Sequence, residues 1–339
     1  MHLADGTATK HSKAKSRLEG SMSWPVLLVT PSTSCRPSTP RPWLVGTWHT
    51  RISSFPFALP EEGPLRREAW PRQNRLVASK EISTIHEVFK STCARGATAI
   101  DIGAGGGWGS LLLAGLGCHV TAVEPQTKCG RSLEEAVRRN PHLRGSISVV
   151  QAALARESGF PYLAQETGCE SLYRIVPSIL SQSGQCHGSL PIMRTVTLEE
   201  ILMDIELDTR KASDNQGARR PPQVIRVSVA GYEVQVLLGA MKLEWSMYAG
   251  LHFLIEMRPS EWKEHSRHAD PAQALEEGLV VFRDLVSHRG LSCDLVHVGE
   301  GSVACSNQKG EFTWVAIEAC LRSMSEKPSI ALLHLHPAR

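Results

Sequence analysis

The stretch that decides the fold is Ala99-Ile100-Asp101-Ile102-Gly103-Ala104-Gly105-Gly106-Gly107-Trp108-Gly109-Ser110, "AIDIGAGGGWGS". An apolar run carrying one aspartate opens into a cluster with four glycines in residues 105–109. Glycine inside regular structure costs about 0.5–1 kcal/mol relative to alanine. Such a cluster therefore marks a backbone that something must approach closely.

The sequence on either side supplies the frame. Residues 80–90 place Ile82, Ile85, Val88 and Phe89 at helical spacing. Thr98–Ile102 is a short apolar strand, Ser110–Leu116 an apolar helix that Gly117 can close with a left-handed cap. Cys118–Glu124 is a second strand stopped by Pro125, and Leu133, Ala136 and Val137 give the next helix its buried stripe. Ile147–Gln151, Val224–Ser228, His252–Met257 and Cys293–Val298 read as further strands. Between them lie helical patterns at Leu198–Ile205, around Val234, Leu237, Leu238 and Met241, and at Ala272–His288, closed by Gly290. Nearly all-apolar strands alternating with helices predict a mostly parallel sheet covered on both faces, an α/β fold. The ligand of such a sheet sits beyond the carboxyl ends of its strands, where the strand order reverses. The glycine cluster lies at one of those ends.

Two cofactor classes use that place. A dinucleotide site asks for Gly-x-Gly-x-x-Gly. Counted from Gly103 the third glycine is replaced by Trp108, and counted from Gly105 it is replaced by Ser110. A nicotinamide-dependent oxidoreductase is therefore disfavoured. The alternative, Asp-x-Gly-x-Gly-x-Gly, is met by Asp101, Gly103, Gly105 and Gly107. An acid there suits a ligand with an ammonium group, and glycines admit an amino-acid moiety close to the backbone. Glu124, ending the second strand, can accept both hydroxyls of a ribose. Gln151, ending the third, can hydrogen-bond an adenine. Together these requirements describe S-adenosylmethionine, and Trp108 can wall its pocket or pack beneath the loop.

Composition narrows the rest. The 339 residues are 42% hydrophobic and 21% charged, ordinary for a globular chain, with a net charge of +3. Residues 1–75 hold 11 Lys and Arg against 5 Asp and Glu, which leaves the remainder slightly acidic. That balance argues against a nucleic-acid-binding body. The first 60 or so residues are rich in Ser, Thr and Pro with only Asp5 and Glu19 as acids. They read as a disordered extension, or as a transit peptide that would place a cytoplasmic-type protein in an organelle. The nine cysteines form no Cys-x-x-Cys pair, which fits a reducing compartment better than a disulfide framework. No run approaches the length of a membrane span. The expected organisation is an extension over 1–75, one domain over 76–325 and a tail over 326–339. His265 and His268, and the pair His334 and His336 in the tail, read as incidental, and no metal is expected.

Over residues 95–260 the chain resembles the FkbM family of class I S-adenosylmethionine-dependent methyltransferases. The carrying stretches are "AIDIGAGGGWGSLLLA" (99–114), "VTAVEPQTKCGRSLEEAVRRN" (120–140) and "VVQAALA" (149–155), with "TVTLEEIL" (195–202), "IRVSVAGYEVQVLLGA" (225–240) and "FLIEMRP" (253–259) fainter. The resemblance implies a Rossmann-like sandwich around a seven-stranded sheet whose last strand is antiparallel. It also implies methyl transfer, usually to a hydroxyl oxygen. Where the family reads Lys-Ile-Asp-Val-Glu-Gly-x-Glu, this chain has Arg226-Val227-Ser228-Val229-Ala230-Gly231-Tyr232-Glu233. Two acids have become Ser228 and Ala230. The catalytic candidates are then Ser228 itself, a poor base, with Glu233 or Glu256 as substitute acids near the crevice. The leading expectation is O-methylation of a small molecule or glycan. The alternatives are a cofactor-binding protein without transfer activity and, last, the oxidoreductase. Oligomeric state is not legible.

Overall fold

In the computed structural model the described residues are 43–49, 54–60, 80–93, 96–143, 145–159, 161–164, 175–177, 192–212, 221–243, 248, 250–266, 268, 270–298, 314–326 and 330–337. The expected extension contains a two-stranded antiparallel hairpin, β1 (Trp43–His49) and β2 (Ser54–Pro60). That departs from an extension without structure, while residues 1–42 lie outside the described residues.

The domain begins with α1 (Lys80–Thr92), β3 (Thr98–Ile102), α2 (Trp108–Gly115), β4 (His119–Val123), α3 (Thr127–Arg139) and β5 (Ile147–Val150). A small sheet follows: β6 (Ala153–Leu154), β7 (Pro161–Ala164), β8 (Ile175–Pro177) and β9 (Ile192–Val196) in the order β6-β9-β7-β8. The periodicity reading missed it, because strands of two to five residues carry too few alternations to register. The chain returns through α4 (Leu198–Ala212), β10 (Pro222–Val227), α5 (Glu233–Leu238) and β11 (His252–Met257). It closes with α6 (Trp262–His265), α7 (Pro271–Arg283), β12 (Leu291–Val298), α8 (Trp314–Ser325) and β13 (Ala331–Pro337).

The large sheet has seven strands in the order β12-β13-β11-β10-β3-β4-β5. Strands β5, β4, β3, β10 and β11 are parallel, and β13 runs antiparallel between β11 and β12. This is the Rossmann-like sandwich that the resemblance implied, a seven-stranded, mostly parallel sheet with helices on both faces and its last strand antiparallel. One boundary needs correction. Residues 326–339 are no tail, since Ala331–Pro337 is an internal strand of the sheet. Its sequence, Ala-Leu-Leu-His-Leu-His-Pro, has the alternation of a strand, but its place at the chain end concealed that it fills the gap between β11 and β12.

Period-2 geometry divides the strand residues between two cores. One face packs Ile100, Ile102, Ile225, Phe253 and Ile255 against α4, α5, α7 and α8. The other packs Ala99, Val120, Ala122, Val224 and Leu254 against Phe89 of α1, Leu112 and Leu113 of α2 and Leu133 of α3. A second correction concerns the cysteines. Cys93, just after α1, and Cys118, just before β4, form a disulfide with Cα atoms 5.0 Å apart. Both lie at the amino-terminal ends of the neighbouring strands β3 and β4, a proximity that 25 residues of sequence separation does not reveal. The cysteine argument for a reducing compartment therefore lapses.

The order of strands reverses between β3 and β10, and there the two following loops touch backbone to backbone. Gly103 has φ +75°, and a Cβ built on it would stand 2.1 Å from the carbonyl oxygen of Ser228. The left-handed conformation alone costs an alanine about 1–2 kcal/mol, and here a backbone carbonyl must move as well. Gly103→Ala is expected to lower stability by at least about 3 kcal/mol. Gly145→Ala, also at positive φ but with nothing within 4 Å, should cost only about 1–2 kcal/mol. Chemical denaturation of both variants checks this, and equal losses would discount the contact.

Candidate functional site

The site is the crevice at the carboxyl ends of β3, β4, β10 and β11. Asp101 is fully buried. Its Oδ1 accepts from Arg226 Nη1 at 2.7 Å and its Oδ2 from the Ser110 hydroxyl at 2.6 Å. Arg226 lies opposite Asp101 in the β3–β10 register and is itself buried, with its guanidinium carbon 4.7 Å from the Trp108 ring centroid. Gly109 presses on the pair: a Cβ there would be 2.9 Å from Asp101 Oδ2. So Asp101 does not open onto the crevice to meet an ammonium group, as the sequence suggested. It neutralises Arg226 under the loop. Trp108 takes the packing role of its two readings, covering that guanidinium. Arg226 was missed, although a lone cation in "VIRV" required a buried counter-charge, and Asp101 on the neighbouring strand was the acid at hand.

Three further glycines of the loop can now be assigned. Gly103 meets Ser228, and a Cβ on Gly107 would meet the Leu133 side chain at 2.4 Å. Gly105, at φ +53°, has nothing within 4 Å of the Cβ position. Of Gly103, Gly105 and Gly107, it alone faces open space. Beside it stands Glu124, whose two carboxylate oxygens accept from the N–H of Gly105 at 2.7 Å and of Gln126 at 2.8 Å. Burial pushes the Glu124 carboxyl up to about 7, against the lowering effect of both N–H groups, and the Asp101 charge adds to the rise. Gln151 is exposed at the end of β5, its amide hydrogen-bonded to Thr127 at the start of α3.

On the other side, β10 and β11 bring two of the catalytic candidates together. The Ser228 hydroxyl donates to Glu256 Oε2 at 2.9 Å, and Arg258 Nη2 donates to Glu256 Oε1 at 2.8 Å. Burial alone would raise the Glu256 pKa. The charges of Arg258 and Arg226, with hydrogen bonds from Arg258 and Ser228, outweigh it and hold the carboxyl below its usual value. Glu256 keeps 26% of its side chain accessible. Ala230, where the family has an acid, adopts φ +48°, strain of the kind that clusters at binding sites.

Glu233 must be removed from the catalytic candidates. It is fully buried, accepting from the Gly231 N–H at 2.7 Å and the Trp262 indole at 2.8 Å. Burial pushes it up to about 7 against those two donors. Its work is to pin Trp262 and the turn before α5, as an acid at a helix N-terminus.

No family model matches the chain, and no curated protein matches it. Solved structures do match. An O-methyltransferase from Bacillus cereus in complex with SAH is 10% identical, covering 76% of this chain and 80% of that one, with a TM-score of 0.38. An rRNA methylase from Streptococcus thermophilus is 9% identical over 77% of this chain and 98% of its own, with a TM-score of 0.36. A 16S rRNA methyltransferase from T. thermophilus, in complex with AdoMet and guanosine, is 14% identical over 89% and 52% respectively, with a TM-score of 0.37. No helix among the described residues is long and apolar enough to cross a membrane.

Removing one partner of a buried ion pair leaves the other charge uncompensated, at a cost of about 3–5 kcal/mol, whereas apolar replacement of both is often near neutral. Asp101→Asn should therefore destabilise the protein by about that amount, and Asp101→Leu with Arg226→Met should recover most of it. If urea midpoints show the double variant no better than the single, the pair is not what holds the loop.

Proposed function

We propose that this chain is an S-adenosylmethionine-dependent methyltransferase that methylates an oxygen of a small molecule or glycan, in the manner of the FkbM family it resembles. The observation that carries the reading is the free face of Gly105 beside the Glu124 carboxylate, at the switch point of the sheet. The residues present fit the cofactor on that side. Gly105 admits an approaching group, Glu124 has lone pairs left for ribose hydroxyls, and Gln151 stands exposed at the strand end where an adenine belongs. Gly103 and Gly107 let the loop close against Ser228 and Leu133, where any side chain would collide. Bound there, S-adenosylmethionine supplies a methyl group already activated by a sulfonium.

The chain's own contribution is then positioning, a large effect in itself. Glu256, held by Ser228 and Arg258, keeps its charge at neutral pH. It can accept a hydrogen bond from an acceptor hydroxyl and orient it, but it is a weak base for removing that proton. Acceptors that ionise readily, such as carboxylates and phenols, suit the site better than neutral alcohols. The slightly acidic remainder of the chain supports such an acceptor over a nucleic acid. A second reading, cofactor binding without transfer, is favoured by Ser228, rather than an acid, standing just beyond β10.

Two experiments test this. Protonation of Glu124 removes an acceptor, so affinity for S-adenosylmethionine should rise as pH increases from 6 to 8, across the value near 7. Glu124→Gln should flatten that rise and weaken binding at pH 8 by roughly 10- to 150-fold, the loss of one charge-assisted hydrogen bond of about 1.5–3 kcal/mol. Calorimetry showing tighter binding of NAD, or no pH effect, sinks the assignment. A methyl-release screen over alcohols, phenols and carboxylates, on the wild type and on Ser228→Asp/Ala230→Glu, addresses turnover. The wild type should prefer the ionisable acceptors and the variant should gain neutral alcohols. Cofactor binding with no turnover by either protein would leave the second reading.

A further inference from the structure

A cluster away from the crevice joins three strands. Among the described residues, Asp294 of β12 and His334 and His336 of β13 form a group of metal-ligating side chains whose donor atoms all lie within 4.8 Å of one another. The topology makes the grouping. His334 and His336 are two apart on one strand and so share a face. Asp294 is the register partner of His334 across β12–β13, and Leu254 is its partner across β11–β13. His252, two residues before Leu254, lies on that same face, with Nδ1 2.9 Å from His334 Nε2.

The hydrogen bonds around the rings leave a positive charge wanting. His336 Nδ1 is 2.9 Å from the carbonyl oxygen of Pro337, which can only accept, so this nitrogen carries the proton. In the neutral ring, Nε2 then presents a lone pair, and it points at Asp294 Oδ2 from 3.1 Å. Two acceptors at that distance repel unless a cation or a proton lies between them. His334 shares Nε2 with His252, which orients the ring, and in the tautomer in which Nε2 donates to His252 the other nitrogen is left as a lone pair. That is the arrangement by which a neighbouring group orients a metal-binding imidazole. His336 is mostly covered, while 44% of the Asp294 side chain is accessible, so an ion can enter from solvent.

We propose that Asp294, His334 and His336 bind a divalent transition-metal ion of the zinc class, with His252 supporting His334. Two imidazoles and one carboxylate select zinc, cobalt or nickel over calcium and magnesium, which take oxygen donors. Donor atoms around a tetrahedral zinc stand about 3.3 Å apart at bond lengths of about 2.0–2.2 Å. The side chains therefore close by about 1.5 Å at most from the present arrangement. Three protein ligands leave a fourth position for water. The ion ties edge strand β12 to β13, and through His252 to β11, so its effect is on stability. The site is separate from the methyl-transfer crevice and does not depend on that reading.

The test uses the full chain after chelator treatment, titrated with Zn2+ alone by calorimetry and with Co2+ by visible absorption. The wild type should bind one equivalent of Zn2+ that Asp294→Asn and His336→Gln lose or weaken by at least 10-fold. Saturation at 100 times the Kd should raise the wild-type Tm by roughly 5–10 °C. Sites provided by the nine cysteines cancel in the difference between wild type and variant. Asp294→Asn, at a half-open side chain, keeps the comparison valid if His336→Gln folds poorly. His268→Gln, outside the cluster, should bind as the wild type does. No Zn2+ bound by the wild type, or the same stoichiometry and Kd in Asp294→Asn, overturns the proposal.

Discussion

The crevice depends on one buried ion pair. Asp101 and Arg226 face each other across β3 and β10, the two strands between which the sheet reverses its direction of growth. Two charges taken out of water are costly unless each is matched and hydrogen-bonded. Here the second carboxylate oxygen takes the Ser110 hydroxyl, and the guanidinium is covered by Trp108. Those contacts fix where α2 begins, and α2 fixes the glycine loop above it. Gly109 follows from the same constraint, because any side chain there would displace the pair. Much of the glycine richness thus serves the protein's own packing.

This separates three acids that look equivalent in sequence. Asp101 faces inward and balances Arg226. Glu233 faces inward and holds Trp262. Glu124 is buried too, yet it spends its oxygens on backbone N–H groups rather than on a counter-charge, and it does so next to Gly105, whose Cβ position meets open space. A carboxylate satisfied only by neutral donors is raised toward neutrality by burial. It can exchange or add partners when a ligand brings hydroxyls, which a carboxylate locked to a guanidinium cannot do without stranding the cation.

The parallel strands and their helices were legible because their periodicity is strong. His252–Met257 agrees with the sequence reading to the residue, and Gly117 and Gly290 take the positive φ expected of them. What escaped was set by neighbours in space. Arg226 reads as an anomaly until its register partner is known. Cys93 and Cys118 have no motif, only a shared place at the amino-terminal ends of β3 and β4. The final strand was taken for a tail because local pattern cannot say that a gap between β11 and β12 needs filling. With it went the meaning of His334 and His336, whose partners lie on β11 and β12. Residues acting through their own backbone were readable, and residues acting through a cross-strand partner were not.

The same cross-strand view changes the sense of the eroded acceptor motif. Ser228 stands one residue beyond the Val227–Ile255 pair of the β10–β11 register, where it meets Glu256. The negative charge lost from β10 is therefore present one strand over, about 4.8 Å away in the spacing of paired strands. It is not the same charge chemically. Arg258 and Arg226 hold the Glu256 carboxyl low, so it orients better than it deprotonates. Ser228 fixes Glu256 with a hydrogen bond. In the proposed methyl transfer, that leaves ionisation to the acceptor.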